Sequence, residues 1–207
     1  MNFLKYDSPF MIKLNMIVDY FLLGLLWLVT SIPVITFGAA TTAAFFTAEK
    51  SIHKENGKML STFRKSFCKE FKQATLLWVI ELVLIVVWVV NAFLLRNIEV
   101  NDFIYVLLLL ALLIELGWIQ LWFAYLSKFN DCIKVLLGNT FRITIGKFPI
   151  VLLLTLISVI AIVGFVVALI YISPLPLFIP GIYLFLVGSV FRKIFKEYLP
   201  LDTTEDT

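Results

Sequence analysis

Of 207 residues, 61% are apolar, 15% aromatic and only 15% charged, with a mean hydropathy of +1.00. A water-soluble domain of this size cannot bury so much apolar surface, so the composition excludes one and points to a polytopic membrane protein. The net charge of +3 does not mark a nucleic-acid binder, because the basic residues flank apolar runs as they do at membrane boundaries.

At about 20 residues per crossing, the length leaves room for six or so spans and no sizeable soluble domain. Apolar runs bounded by charges or prolines fall at about 14–32, 34–49, 74–95, 103–127, 148–172 and 176–195. The expected fold is an all-α transmembrane bundle forming a single membrane domain over 1–207. Lys5 and Lys13 before the first run, with Gly38-Ala39-Ala40 after it, have the outline of a leader peptide. That first run is long for a leader core, and Ala43-Ala44-Phe45-Phe46 stays apolar beyond the cleavage point, so a span is the better reading.

Charge sets the expected orientation. Two lysines precede residue 14, seven basic residues lie between Lys50 and Lys72, four between Lys128 and Lys147, and three follow from Arg192. Only Arg96 falls between the third and fourth runs. With six crossings and both termini cytoplasmic, 16 basic residues lie inside and one outside, the best of the topologies compared. A five-crossing chain, with 34–49 resting on the inner face, gives a poorer split. The expected location is the plasma membrane, multi-pass, with the lipid bilayer as the first partner.

The run 34–49 differs from the others. Pro33 ends the first helix and restricts Ile32, so the chain is expected to reverse near the outer surface. Sixteen helical residues reach only about 24 Å, short of a hydrocarbon core of about 30 Å. Ala40, Ala44 and Ala48 share one face, beside Gly38 and Thr42, and small faces let helices approach closely in lipid. The expectation is a short, buried central helix whose packing motif is Pro33, Thr36, Gly38, Ala40, Thr42 and Ala44.

Two segments on the basic side read as amphipathic. Phe63, Phe67 and Phe71 repeat every four residues, with Arg64, Lys65, Lys69 and Lys72 on the other faces. This pattern predicts an interfacial helix that rests on anionic headgroups or docks on a partner. Phe129, Ile133 and Leu136 or Leu137 make a similar stripe before Gly138.

Polar chemistry is concentrated in carboxylates within apolar runs. Asp19, Glu81 and Glu115 lie about 9, 12 and 20 Å along their helices from the cytoplasmic ends, at 1.5 Å per residue. An unpaired charge there costs about 2.5 kcal/mol or more, so each needs a proton, a partner or water. No lysine or arginine lies centrally in any span, which leaves Asn15, Tyr20, Asn91, Gln120, Tyr125, Trp78 and Trp118 as partners. Asp19, Glu81, Glu115 and Gln120 form the candidate intramembrane polar site, read either as protonated groups tied by interhelical hydrogen bonds or as a wet cavity open to the cytoplasm.

Other chemistry is absent from the sequence. Cys68 and Cys132 are expected as free thiols, and the lone His53 has no metal partner at ligand spacing. There is no phosphate-binding glycine loop, nucleophile elbow or zinc motif, so neither an enzyme nor a cofactor is expected.

The stretch from Asp19 to Phe46, DYFLLGLLWLVTSIPVITFGAATTAAFF, resembles the opening of the YesL family of small bacterial membrane proteins. Pro33, Thr36, Gly38 and the run Ala39 to Ala43 match its hallmark; the segments from Ser61 and from Cys132 resemble its later parts more diffusely. The family often has asparagine at the position of Gly24, so a polar role there does not carry over. The resemblance implies a Gram-positive membrane protein of unassigned function, often encoded beside sugar-type ABC transporter components and polysaccharide-degrading enzymes. An accessory part in carbohydrate transport, with ABC transporter subunits as partners, is the expectation that follows. A sensor or assembly factor, or an independent small-solute transporter, are the alternatives. The chain lacks the cytoplasmic loop by which ABC permeases dock their ATPase, so the permease itself is not expected.

Overall fold

The computed structural model describes residues 9–52, 58–95, 101–171 and 174–198, and among these every regular element is helical. The α-helices are α1 (Pro9–Ser31), α2 (Phe37–Thr47), α3 (Met59–Leu95), α4 (Asp102–Leu126), α5 (Ile133–Gly146), α6 (Phe148–Ile170) and α7 (Ile179–Tyr198). Helices are what this composition requires, because hydrocarbon offers amide groups no hydrogen bonds except those within the segment. Helices α1, α3, α4 and α6 are long and apolar enough to cross a membrane. His53, Arg96 and both termini lie outside the described residues.

The first two helices form a tight hairpin. After Ser31 the chain turns at Pro33, winds a short 3-10 turn over Val34–Thr36 and enters α2. The Thr36 hydroxyl lies 2.6 Å from the carbonyl oxygen of Thr30 and 2.7 Å from that of Pro33, so it can donate to either. At Thr30 it thereby serves a carbonyl of the last turn of α1, where amide partners run out, while the Pro33 carbonyl also accepts from the Thr36 amide at 2.9 Å. Beyond Thr47 the helix loosens into a π-helical turn over Ala48–Ile52.

Helix α2 is the buried centre, packed between α1, α3 and α4. Its residues from Gly38 to Phe45 are all buried. The absence of a side chain at Gly38 permits this closeness: a Cβ there would sit 2.6 Å from the carbonyl oxygen of Ala74 and 2.9 Å from Trp78. Thr41 and Thr47 donate back to the carbonyls of Phe37 and Ala43, so these hydroxyls are satisfied without widening the helix spacing. Of the predicted packing motif, Gly38, Ala40, Thr42 and Ala44 are buried, Thr36 is half-buried at the turn and Pro33 is exposed.

A second close crossing joins α1 to α7. A Cβ on Gly24 would meet the amide nitrogen of Gly181 at 2.5 Å, and one on Gly181 would meet the carbonyl of Tyr20 at 2.7 Å. Gly24 therefore holds a steric role at the position where the resembling family often has asparagine.

The structure refines three expectations. The segment 61–72 is the amphipathic helix that its periodicity predicts, but it is not an element of its own. It is continuous with α3, because nothing between Lys72 and Leu76 breaks the helix. Phe63 is buried in the protein's own core, Phe67 and Phe71 pack against that core, and the exposed face is the basic one. The second stripe belongs to the short helix α5, with Leu136 buried against the core and the helix running on past Gly138. Third, the Pro33 turn does not reach the far end of α3. The Trp78 indole donates to the carbonyl of Val34 at 2.7 Å, and α3 continues 17 residues, about 25 Å, past that level. The tip is apolar and open, with Ile32 76% exposed. Cys68 and Cys132 are free and exposed.

Candidate functional site

The four predicted polar residues do not line one cavity. Asp19 is half-buried on α1. Glu115 faces α3, where its carboxylate accepts from the Trp88 indole. Gln120 is five residues further along α4, which turns it away from Glu115. Its amide donates to the carbonyl of Leu116, and its oxygen lies 3.4 Å from the Tyr183 hydroxyl, itself 3.4 Å from Ser158 on α6. The partners foreseen from the sequence serve other groups: Trp118 donates to Thr140, Asn91 to the carbonyl of Val87, and Tyr125 to Asp131.

Among the described residues Glu81 is the most enclosed carboxylate, 3% exposed. Seven residues back along α3 from Trp88, and seven forward along α4 from Glu115, the same two faces return at Glu81 and Trp122. One oxygen of Glu81 and the indole nitrogen of Trp122 are both buried without a hydrogen-bond partner. The second oxygen of Glu115 is in the same state. The α3–α4 seam thus carries two acids and two indoles, with only one of the possible bonds made.

A second cluster, not evident from the sequence, lies at the basic end of the bundle. Glu49, in the π-helical turn after α2, sits between Lys128 at the end of α4 (3.4 Å) and Arg192 on α7 (4.0 Å). Arg192 also donates to Ser189 at 3.1 Å, and the Lys128 ammonium lies 5.5 Å from the centre of the Phe195 ring. Beside them is a cavity of about 20 Å³ walled by Tyr20, Phe45, Phe191 and Phe195. That is room for a single water and none for a sugar. In the sequence each of the three charges reads as an ordinary boundary residue, and they are separated by 79 and 64 positions. Only Glu49's place directly after the small-residue run could have marked it.

The basic segment of α3 adds an exposed face of Arg64, Lys65, Lys69 and Lys72. Lys69 bridges to Glu70 at 3.1 Å and reaches Asn130 at 2.5 Å.

Comparison with known proteins gives one family match, to the model described as "Protein of unknown function, DUF624", over residues 20–92. The matched third of the chain runs from Tyr20 through the hairpin, Glu49 and the basic segment past Glu81 and Trp88 to Ala92, and stops before Glu115, Lys128 and Arg192. No curated protein and no solved structure matches the chain. The chain is all-helical among its described residues, has four helices able to cross a membrane, and is similar over 20–92 to an uncharacterised family.

Proposed function

We propose that this protein is an integral membrane accessory component of a carbohydrate transport system of the ABC type, and not its permease. The observation that carries the reading is α3. Its phenylalanine stripe is locked into the core while Arg64, Lys65, Lys69 and Lys72 stand exposed on a helix continuous with a membrane-crossing segment. A rigid helix with an exposed basic face is suited to dock a partner and does not itself form a passage. The small cavity at the basic end also favours an accessory role over solute passage. The resemblance of Asp19 to Phe46 to the YesL family supplies the carbohydrate context.

The same reading puts six helical legs, α1, α2, α3, α4, α6 and α7, in the plasma membrane as one domain with both termini cytoplasmic. The α1–α2 hairpin enters and leaves on the cytoplasmic side, which keeps the 16-to-1 division of basic residues whether or not its tip crosses. The depth of the tip can be read with a membrane-impermeant thiol reagent on single-cysteine variants in a Cys68→Ser, Cys132→Ser background. Cysteine at Asn101 labels from outside and cysteine at Val34 does not; labelling at both would give the hairpin two full crossings.

The functional test is co-purification from native membranes. The wild-type chain should recover ABC transporter subunits, and replacing Arg64, Lys65, Lys69 and Lys72 by glutamine should reduce their yield. Unchanged recovery by an inserted, folded variant removes the docking role. Recovery of signalling proteins instead favours the sensor reading.

A further inference from the structure

The cluster at the basic end is unbalanced in charge and loosely closed. Lys128 and Arg192 converge on the single carboxylate of Glu49, leaving one positive charge in excess. At 3.4 and 4.0 Å, both contacts are longer than the roughly 2.7–2.9 Å of well-formed charge-assisted bonds. The side chains of Lys128, Arg192 and Glu49 are 18%, 30% and 35% exposed, so the group is partly removed from water without being sealed. Other acids paired at this end are engaged elsewhere: Glu70 with Lys69, Asp131 with Tyr125, Glu197 with Lys147. The aromatic walls lower the local dielectric and strengthen the field of the two cations. Glu49 itself hangs from a π-helical turn, a distortion that recurs at functional sites.

We propose that Lys128 and Arg192 form a binding site for a phosphate-type oxyanion, whose place between the two cations the Glu49 carboxylate occupies in the unliganded protein. The oxyanion displaces that carboxylate toward water, and the guanidinium and ammonium groups close on it. The source is either free phosphate or the phosphate of an anionic lipid headgroup, since the proposed orientation puts the cluster at the inner membrane surface. The inference stands on the geometry of the cluster and does not depend on a role in carbohydrate transport.

Thermal unfolding of the purified full chain in neutral detergent tests it, with inorganic phosphate titrated against chloride at constant ionic strength. A second arm adds phosphatidic acid or phosphatidylcholine to the micelles. Phosphate stabilises proteins in general through exclusion from their surface, so the readout is the difference between variants. Glu49→Gln removes the competing charge at nearly constant volume, and it should reach the wild-type shift at about tenfold lower ligand concentration. Arg192→Gln should lose the specific shift. A response to phosphatidic acid alone supports the site and assigns the headgroup as its source. Equal responses in wild type and Glu49→Gln, or no response to either ligand, overturn the proposal. Should Arg192→Gln fail to fold, the Glu49→Gln comparison decides alone, because a purely structural ion pair predicts a weaker protein with no gain in ligand response.

Discussion

Around α2 the helices meet through Gly38, Ala39, Ala40, Ala43 and Ala44, and their backbones come within reach of one another. Beyond Trp78, α3 and α4 run on as valine, leucine and isoleucine, among them Val83, Val86, Val90, Leu107 and Leu110, all exposed. The second region is the more apolar of the two, yet only the first is packed. In a membrane the difference is expected, because hydrocarbon solvates a leucine as well as another helix does. Helices therefore associate through close backbone approach and polar ties, not through apolar area. The far part of the α3–α4 pair has such ties in Trp88 to Glu115 and in the Tyr105 hydroxyl to the carbonyl of Leu95 at 3.3 Å.

The contrast is broken most severely by filling the close contacts. Gly38→Leu and Gly24→Leu force a side chain against backbone atoms under 3 Å away, and each should cost about 3 kcal/mol or more. In thermal melts in detergent this reads as a large loss of midpoint or as failure to purify folded protein. Wild-type melting of either variant would show that the helices separate there. Next comes the far seam, where Trp88→Phe removes the donor to Glu115. A loss of about 0.6–1.7 kcal/mol is expected, the range of interhelical hydrogen bonds in membrane proteins. A smaller step is Thr36→Val, which strips the turn of its hydroxyl at about 1 kcal/mol. The smallest effect belongs to Leu107→Ala, within about 0.5 kcal/mol, because that side chain exchanges one apolar neighbour for another. A Leu107→Ala loss as large as that of Gly38→Leu would mean that the far part of α4 packs against a partner.

The sequence made the long helices legible through unbroken apolar runs between charges, and Pro33 marked the hairpin. It also set the small-residue segment apart, and the structure buries Gly38, Ala40, Thr42 and Ala44 of it. What covers an apolar face is not written in its periodicity. The stripe of Phe63, Phe67 and Phe71 predicts an amphipathic helix equally well whether lipid, a partner or the chain's own α2 lies against it. Pairings between distant segments were illegible for a related reason. Gly24 with Gly181, Trp88 with Glu115, and Glu49 with Lys128 and Arg192 become neighbours only once the helices have crossed, and no local pattern encodes the crossing. Gln120 stands out in the sequence for its polarity within an apolar run, but a rotation of five residues separates its face from that of Glu115.

The continuity of α3 has a mechanical consequence. Its 37 residues form a rod of about 56 Å, of which the 15 residues before Ala74 make an arm of about 22 Å carrying the basic face. A rocking of the membrane part by about 10° would move the end of that arm by about 4 Å. A change in bilayer thickness, which helices commonly accommodate by tilting, would therefore be delivered as a displacement of Arg64 and Lys65 relative to whatever they touch.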